Sequence, residues 1–198
     1  IIEAISQIQG GYALVMLTKN ILIGARDIYG IRPLVIGKIN KSFVLASETC
    51  ALDIIGAEFV REVENGEIVY IEDNDLHSLK PFGNHTPRPC VFEYIYFSRP
   101  DSILRGKTAY EYRKNLGREL AKEDDVDAEL VVPVPDSGNA AAIGYSQQKK
   151  INFDLGLIRN HYVGRTFIEP GQQIRSLGVK LKLNANKSSI ENKKIILV

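Results

Sequence analysis

Cysteine is scarce in this chain: Cys50 and Cys90 are the only two in 198 residues, and they lie forty positions apart. That excludes a disulfide framework and points to a reducing compartment, with the cytoplasm as the expectation. Long apolar runs are missing too. Nothing approaches the roughly 18 residues needed to span a bilayer, and no basic-then-apolar signal opens the chain, so no membrane role is expected. Charge of one sign is also absent. With 25 Lys and Arg against 24 Asp and Glu, the net charge of +1 gives no global steering toward nucleic acid. What remains is an ordinary globular composition, 44% apolar and 25% charged, long enough for one large domain or two modest ones.

The chain starts Ile1-Ile2-Glu3 and stops on the aliphatic run "KKIILV", Lys193 to Val198. Termini are normally polar and frayed, so a chain stopping inside a strand reads as a piece of something longer.

Two grammars follow one another. "YALVMLT" (Tyr12–Thr18), "ILIGARD" (Ile21–Asp27), "PLVIGK" (Pro33–Lys38), "SFVLASE" (Ser42–Glu48) and "GEIVYIED" (Gly66–Asp73) are short apolar segments, the first four split by brief turns. Connections that short favour antiparallel neighbours. Residues 74–89, "NDLHSLKPFGNHTPRP", hold three prolines and no apolar period, and read as a connection. Beyond it, Ala109, Tyr112, Leu116 and Leu120 recur at helical spacing, with Thr108 and Glu111 as a capping box. "AELVVPVP", "NAAAIGYSQQKK" and "FDLGLIRN" then predict strand, helix, strand, hence a parallel sheet. The expected fold class is α+β followed by α/β. The expected domains are 1–73 and 90–198, joined by 74–89.

The chemistry concentrates in the second part. "VVPVPDSGN" ends an apolar strand in Asp136-Ser137-Gly138 and starts a helix at once. At the carboxyl edge of a parallel sheet, that turn faces the place where ligands of open α/β sheets bind. The unpaired N–H groups of the helix start would stabilise a phosphate there. Gly138 permits close backbone approach, Ser137 offers an oxygen to metal or phosphate, and Asp136 fixes the turn. A plain helix cap from Asp136 or Ser137 is the competing reading. Downstream, Arg159 to Lys194 carries eight basic residues against only Glu169 and Glu191, with glycines at 164, 171 and 178. A stretch that basic and without regular structure suits a polyanionic small molecule, a phosphorylated sugar or nucleotide.

Four segments, "GARDIYGIRPLVIG…VLASETCALDIIGAE", "CVFEYIYFSRPDS", "VVPVPDSG" and "RNHYVGRTFIEPGQQIR", resemble the amidophosphoribosyltransferase family of purine biosynthesis in content and order. The resemblance implies the back of an N-terminal-nucleophile glutaminase domain, with antiparallel sheets between helices, joined to the front of a type I phosphoribosyltransferase domain. It implies a glutamine-dependent glycosyltransferase that turns glutamine, phosphoribosyl pyrophosphate and water into phosphoribosylamine, glutamate and pyrophosphate. Asp136, Ser137, Gly138, Tyr162, Arg165 and Lys182 would contact the phosphoribosyl substrate. Ser137 would ligate Mg²⁺, and "YVGRTFI" would be the start of a mobile loop that closes over the substrate. His161 departs from the arginine usual in the family. Cys90 precedes "EYIYF" at the spacing of one ligand of the [4Fe–4S] cluster that some members carry; Cys50 reads as a small buried hydrophobe. The implied partners are small molecules, purine nucleotides acting as feedback inhibitors and further copies of the chain. The glutaminase nucleophile, a cysteine at the mature amino terminus, would precede Ile1, and the acidic phosphoribosyl-pyrophosphate motif would follow Val198. No catalytic residue is then expected within this chain, which alone should be inactive. The competing class is a regulator with the phosphoribosyltransferase fold that binds the phosphoribosyl substrate without catalysis.

Overall fold

The computed structural model describes residues 1–123 and 125–198. They fall into two compact units, Ile1–Ala109 and Tyr110–Val198, and the division lies at the start of a helix.

The first unit is antiparallel throughout. After a short helix α1 (Ile2–Ile5), β1 (Ala13–Leu17) and β2 (Ile21–Arg26) form a hairpin, as do β3 (Val35–Ile39) and β4 (Ser42–Ala46). Helix α2 (Thr49–Ile55) follows, ending on Gly56 in the left-handed region at φ 68°. β5 (Glu58–Glu62) then pairs with β3, whereas β6 (Ile68–Glu72) pairs with β2. β7 (Asp75–Leu79) pairs with β6, giving sheets ordered β1-β2-β6-β7 and β4-β3-β5. The stretch expected as pure connection thus contributes a strand before running irregularly from Lys80 to Pro89. A π-helical turn (Glu93–Phe97) and a small hairpin of β8 (Ile103–Leu104) and β9 (Lys107–Thr108) complete the unit. Buried Leu34, Ile36, Val63 and Val69 make one core cluster, and Val35, Leu52 and Ala57 another.

Two sequence motifs resolve here into scaffolding. In "RDIYGIRPL" the Asp27 carboxylate is fully buried and accepts the backbone N–H groups of Tyr12, Tyr29, Ile31 and Arg32. Arg26 donates to the carbonyls of Arg32, Val63 and Gly30, and pairs with Glu62 at 3.5 Å. In "YFSRPDS" the Arg99 N–H and Ser102 hydroxyl donate to Glu48 at 2.8 and 2.6 Å, while Thr49 Oγ1 accepts the Ile103 N–H. Glu48 and Thr49 come from "ASETC", so two distant motifs are one hydrogen-bonded joint.

The second unit holds α3 (Ala109–Glu123), β10 (Leu130–Val132), α4 (Asn139–Lys149) and β11 (Asn152–Phe153). β12 (Leu157–Arg159), α5 (Gln172–Lys182), β13 (Leu183–Ala185), α6 (Lys187–Ile190) and β14 (Ile195–Leu197) follow. β10 is central, parallel to β11 on one side and to β14 on the other. Val131, Ala121, Ala142 and Tyr145 form the buried core beneath it.

The packing of α3 differs from its apolar spacing. Leu116 and Leu120 are 50% and 47% exposed, whereas Gly117 and Ala121 are buried. A Cβ on Gly117 would lie 1.9 Å from the Ala141 carbonyl oxygen, and one on Gly144 would lie 1.9 Å from that of Lys114. The two helix backbones touch, so small residues rather than leucines define the contact face. The segment "FDLGLIRN" is likewise two strands, not one. β11 follows β10, but β12 turns away to pair antiparallel with β13.

Candidate phosphate-binding site

The β10–α4 turn has the expected position. β10 has parallel partners on both sides, so its carboxyl end lies at the edge of a parallel sheet where ligands of such sheets bind. Backbone bonds zip that end shut: Val198 N–H donates to Val132 O, and Val134 N–H to Val198 O. The carboxyl end of β14 therefore opens onto the same edge as the turn.

Gly138 is demanded by this closeness. Its N–H donates to Val134 O at 2.9 Å, and a Cβ there would lie 2.4 Å from Val198 O and 2.9 Å from Val134 O. Any side chain would push β14 from β10. Helix α4 begins one residue later without a side-chain cap bond. Neither Asp136 nor Ser137 serves as a cap, which removes the competing reading of both residues. Ser137 is exposed, and Asn139 buries an Oδ1 atom that has no partner. Two oxygens are thus left without helix-capping duty at the start of α4.

Asp136 does have a partner, one that spacing did not reveal. Its carboxylate forms an ion pair with the guanidinium of Arg159, at the end of β12 and 23 residues away. Arg159 had counted only as one charge in a basic stretch. Its Nε is buried without an acceptor.

The basic segment is more ordered than its composition suggests. The structureless stretch expected between Asn160 and Lys194 contains α5, β13 and α6, because Ile174, Leu177 and Leu181 fall at helical spacing among its polar residues. Its base is pinned: Arg159 pairs with Leu183, and Asn160 N–H donates to Lys182 O at 2.8 Å. Inside, Thr166 is buried against Gly178, and Arg175 donates to Glu169 O. Tyr162 and Arg165 project from the loop fully exposed and exposed, and His161 is exposed beside them. Lys182 lies at the foot, its carbonyl used in the closure. The structure therefore brings Asp136, Ser137, Gly138 and Arg159 together, and holds Tyr162 and Arg165 exposed on the segment that starts from Arg159.

The cysteines part company. Cys50 is buried in α2 as expected, its thiol 3.9 Å from Glu48. Cys90 is partly buried, with its N–H donating to Ile31 O. Among the described residues, no group of three or more His, Cys, Asp or Glu side chains converges to hold a metal. No helix among them is long and apolar enough to cross a membrane.

Comparison with known proteins agrees with this architecture. Residues 1–53 match a family model described as a glutamine amidotransferase domain. The amidophosphoribosyltransferase of Rhizobium etli is 54% identical across 100% of this chain, and that of Synechocystis sp. 52% identical across 100%. A solved structure, the glutamine phosphoribosylpyrophosphate amidotransferase of B. subtilis complexed with ADP and GMP, superposes with a TM-score of 0.91 at 45% identity. It covers 99% of this chain and 43% of its own. The chain spans about two fifths of the length of those two curated relatives, 41% and 40%. With a likeness that runs the length of both units, the chain belongs to the amidophosphoribosyltransferase family.

Proposed function

We propose that the whole protein is a glutamine-dependent amidophosphoribosyltransferase of purine biosynthesis, and that this chain supplies its pyrophosphate-binding turn and the loop that closes on it. The observation that carries the reading is the turn at the carboxyl end of β10. It combines an uncapped helix start, an exposed Ser137, a glycine with no room for a side chain, and an adjoining basic segment. Residues 1–73 are assigned to the glutaminase domain, 74–89 to the connection and 90–198 to the phosphoribosyltransferase domain.

Ammonia released from glutamine attacks the anomeric carbon of phosphoribosyl pyrophosphate. A C–N bond forms as the C–O bond to pyrophosphate breaks, and the added nitrogen loses a proton to solvent. The helix start of α4 and the N–H groups of the turn bind the departing pyrophosphate, whose charge grows as the bond breaks. Tyr162, Arg165 and Lys182 cover it from the loop. Water exclusion matters because water competes with ammonia at the same carbon.

Oxygen donors at the turn fit Mg²⁺, an ion held by few protein atoms and shared with substrate phosphates. Ser137 Oγ would hold it, and the ion would neutralise charge on the leaving pyrophosphate. A [4Fe–4S] cluster needs four cysteines. The described residues bring no second thiol to Cys90, and no step involves a cluster. Purine nucleotides as inhibitors, assembly with further copies and a cytoplasmic location complete the proposal; the ADP and GMP of the B. subtilis structure support the first.

The test is pyrophosphate release by the whole protein, with glutamine, phosphoribosyl substrate and Mg²⁺ each omitted in turn. Release that requires all three is expected. Binding of the phosphoribosyl substrate without any turnover would instead mark a regulator.

A further inference from the structure

We propose that Arg159 is a positioning residue of the pyrophosphate turn: it cancels the one negative charge on that turn and ties the foot of the basic loop to it. This rests on reading Asp136–Gly138 as a polyanion site.

The problem it solves is electrostatic. The turn offers N–H donors and a helix start to an anion, yet Asp136 places a carboxylate among them. A free carboxylate beside a bound polyanion repels it, and the repulsion is strong where water is displaced. Arg159 removes that charge. It reaches Asp136 from β12, whose place is set by the Arg159–Leu183 pairing and by the Asn160 N–H bond to Lys182 O. Asn160, the next residue, opens the loop that carries Tyr162 and Arg165. One side chain thus neutralises the turn and stands at the hinge of the loop.

The pair is not a closed structural unit. The side chains of Arg159 and Asp136 are 29% and 52% exposed, so neither is locked in a core. A guanidinium has five donor hydrogens, and the Nε of Arg159 has no acceptor. Arg26 in the first unit shows the alternative, with its donors on three carbonyls and a carboxylate. Arg159 instead directs its side-chain bond to the Asp136 carboxylate, with its Nε buried and unpaired.

The experiment is calorimetric titration of the whole protein with magnesium pyrophosphate. Three variants are compared with the parent: Arg159→Met, Arg159→Lys, and Arg159→Met combined with Asp136→Asn. The inference expects Arg159→Met to weaken binding about tenfold or more, the order of a lost charge-assisted contact. Arg159→Lys keeps the charge and should stay within about threefold of the parent. Removing the Asp136 charge in the Arg159→Met background should recover much of the loss, because the repulsion disappears with it. Melting temperatures of all forms identify a variant that fails to fold; Arg159→Lys and the double variant then still decide. Parent-like binding by Arg159→Met, or a double variant no better than the single one, overturns the inference. A parent that does not bind magnesium pyrophosphate overturns the reading of the turn itself, a distinguishable outcome.

Discussion

Each unit contains an aspartate at a turn with an arginine beside it in sequence or space, and the two differ in how completely they are used. Asp27 lies wholly buried beneath four backbone N–H donors, and its neighbour Arg26 spends its guanidinium on the chain's own carbonyls. Asp136 is half exposed on one arginine whose Nε is unpaired. Saturation of that kind marks scaffolding, since a group with every bond made internally has nothing left for a ligand. An exposed serine and a half-exposed carboxylate distinguish the Asp136–Gly138 turn. The same contrast separates two motifs that are equally conspicuous in sequence: "RDIYGIRPL" builds a turn, whereas "PDSG" presents one.

The comparison breaks most visibly at Asp27. Asp27→Ala should strand four backbone N–H groups and destabilise the first unit by about 4 kcal/mol or more, since bonds to charged acceptors are worth roughly 1.5–3 kcal/mol each. Denaturant midpoints check this, and a loss below about 1 kcal/mol would show that Asp27 is not the keystone claimed.

Glu67 sharpens it through pH. Burial pushes its carboxyl up, but hydrogen bonds from Arg61, Ser78 and the Glu64 N–H, with the Arg61 charge, outweigh this and hold it below its ordinary 4.5. A lowered carboxylate stabilises the fold fully above the unfolded value and loses that contribution as pH falls through the folded value. Glu67→Gln should cost about 2–3 kcal/mol at neutral pH, and its deficit should shrink below pH 4.5. Melting curves from neutral to acid pH would show it; a deficit unchanged with pH would mean that the charge is irrelevant.

The second unit should respond in function rather than stability. Arg165→Ala, on the exposed loop, should reduce phosphoribosyl transfer by an amount equivalent to about 1.5–3 kcal/mol while glutaminase turnover and melting temperature hold. Equal losses in both half-reactions would make Arg165 structural. Ser137→Ala should have the smallest effect on the fold, because Ser137 caps nothing. It should weaken magnesium-dependent substrate binding with melting unchanged within a degree or so. A drop of several degrees with full affinity would return Ser137 to a structural role.

Much of this was legible locally. Strands with short turns announced antiparallel pairing, and β1 to β4 occur where alternation and Lys-Asn or Asn-Lys turns put them. The strand–PDSG–helix junction was readable because a parallel strand, a glycine and an abrupt helix start have few structural solutions. Helix α5 was hidden by polar residues around Ile174, Leu177 and Leu181, which remain exposed and so carry no strong burial signal. β5 and β7 were missed because their alternation is weak and their faces largely polar.

By itself the amino-acid sequence determined the succession of an antiparallel half and a βαβ half, the abrupt strand–Asp–Ser–Gly–helix turn and the basic character of the segment after it. These follow from period, turn chemistry and charge, properties of residues a few positions apart. Only the tertiary structure decided that Gly117 and Gly144, not Leu116 and Leu120, join α3 to α4, and that Glu48 receives Ser102 and Arg99. It alone decided that Arg159 reaches Asp136 and leaves its Nε unpaired. The physical reason is common to all three. Close approach of backbones and pairing of charges across 23 residues or more depend on where whole strands and helices come to rest, and no local pattern encodes that distance.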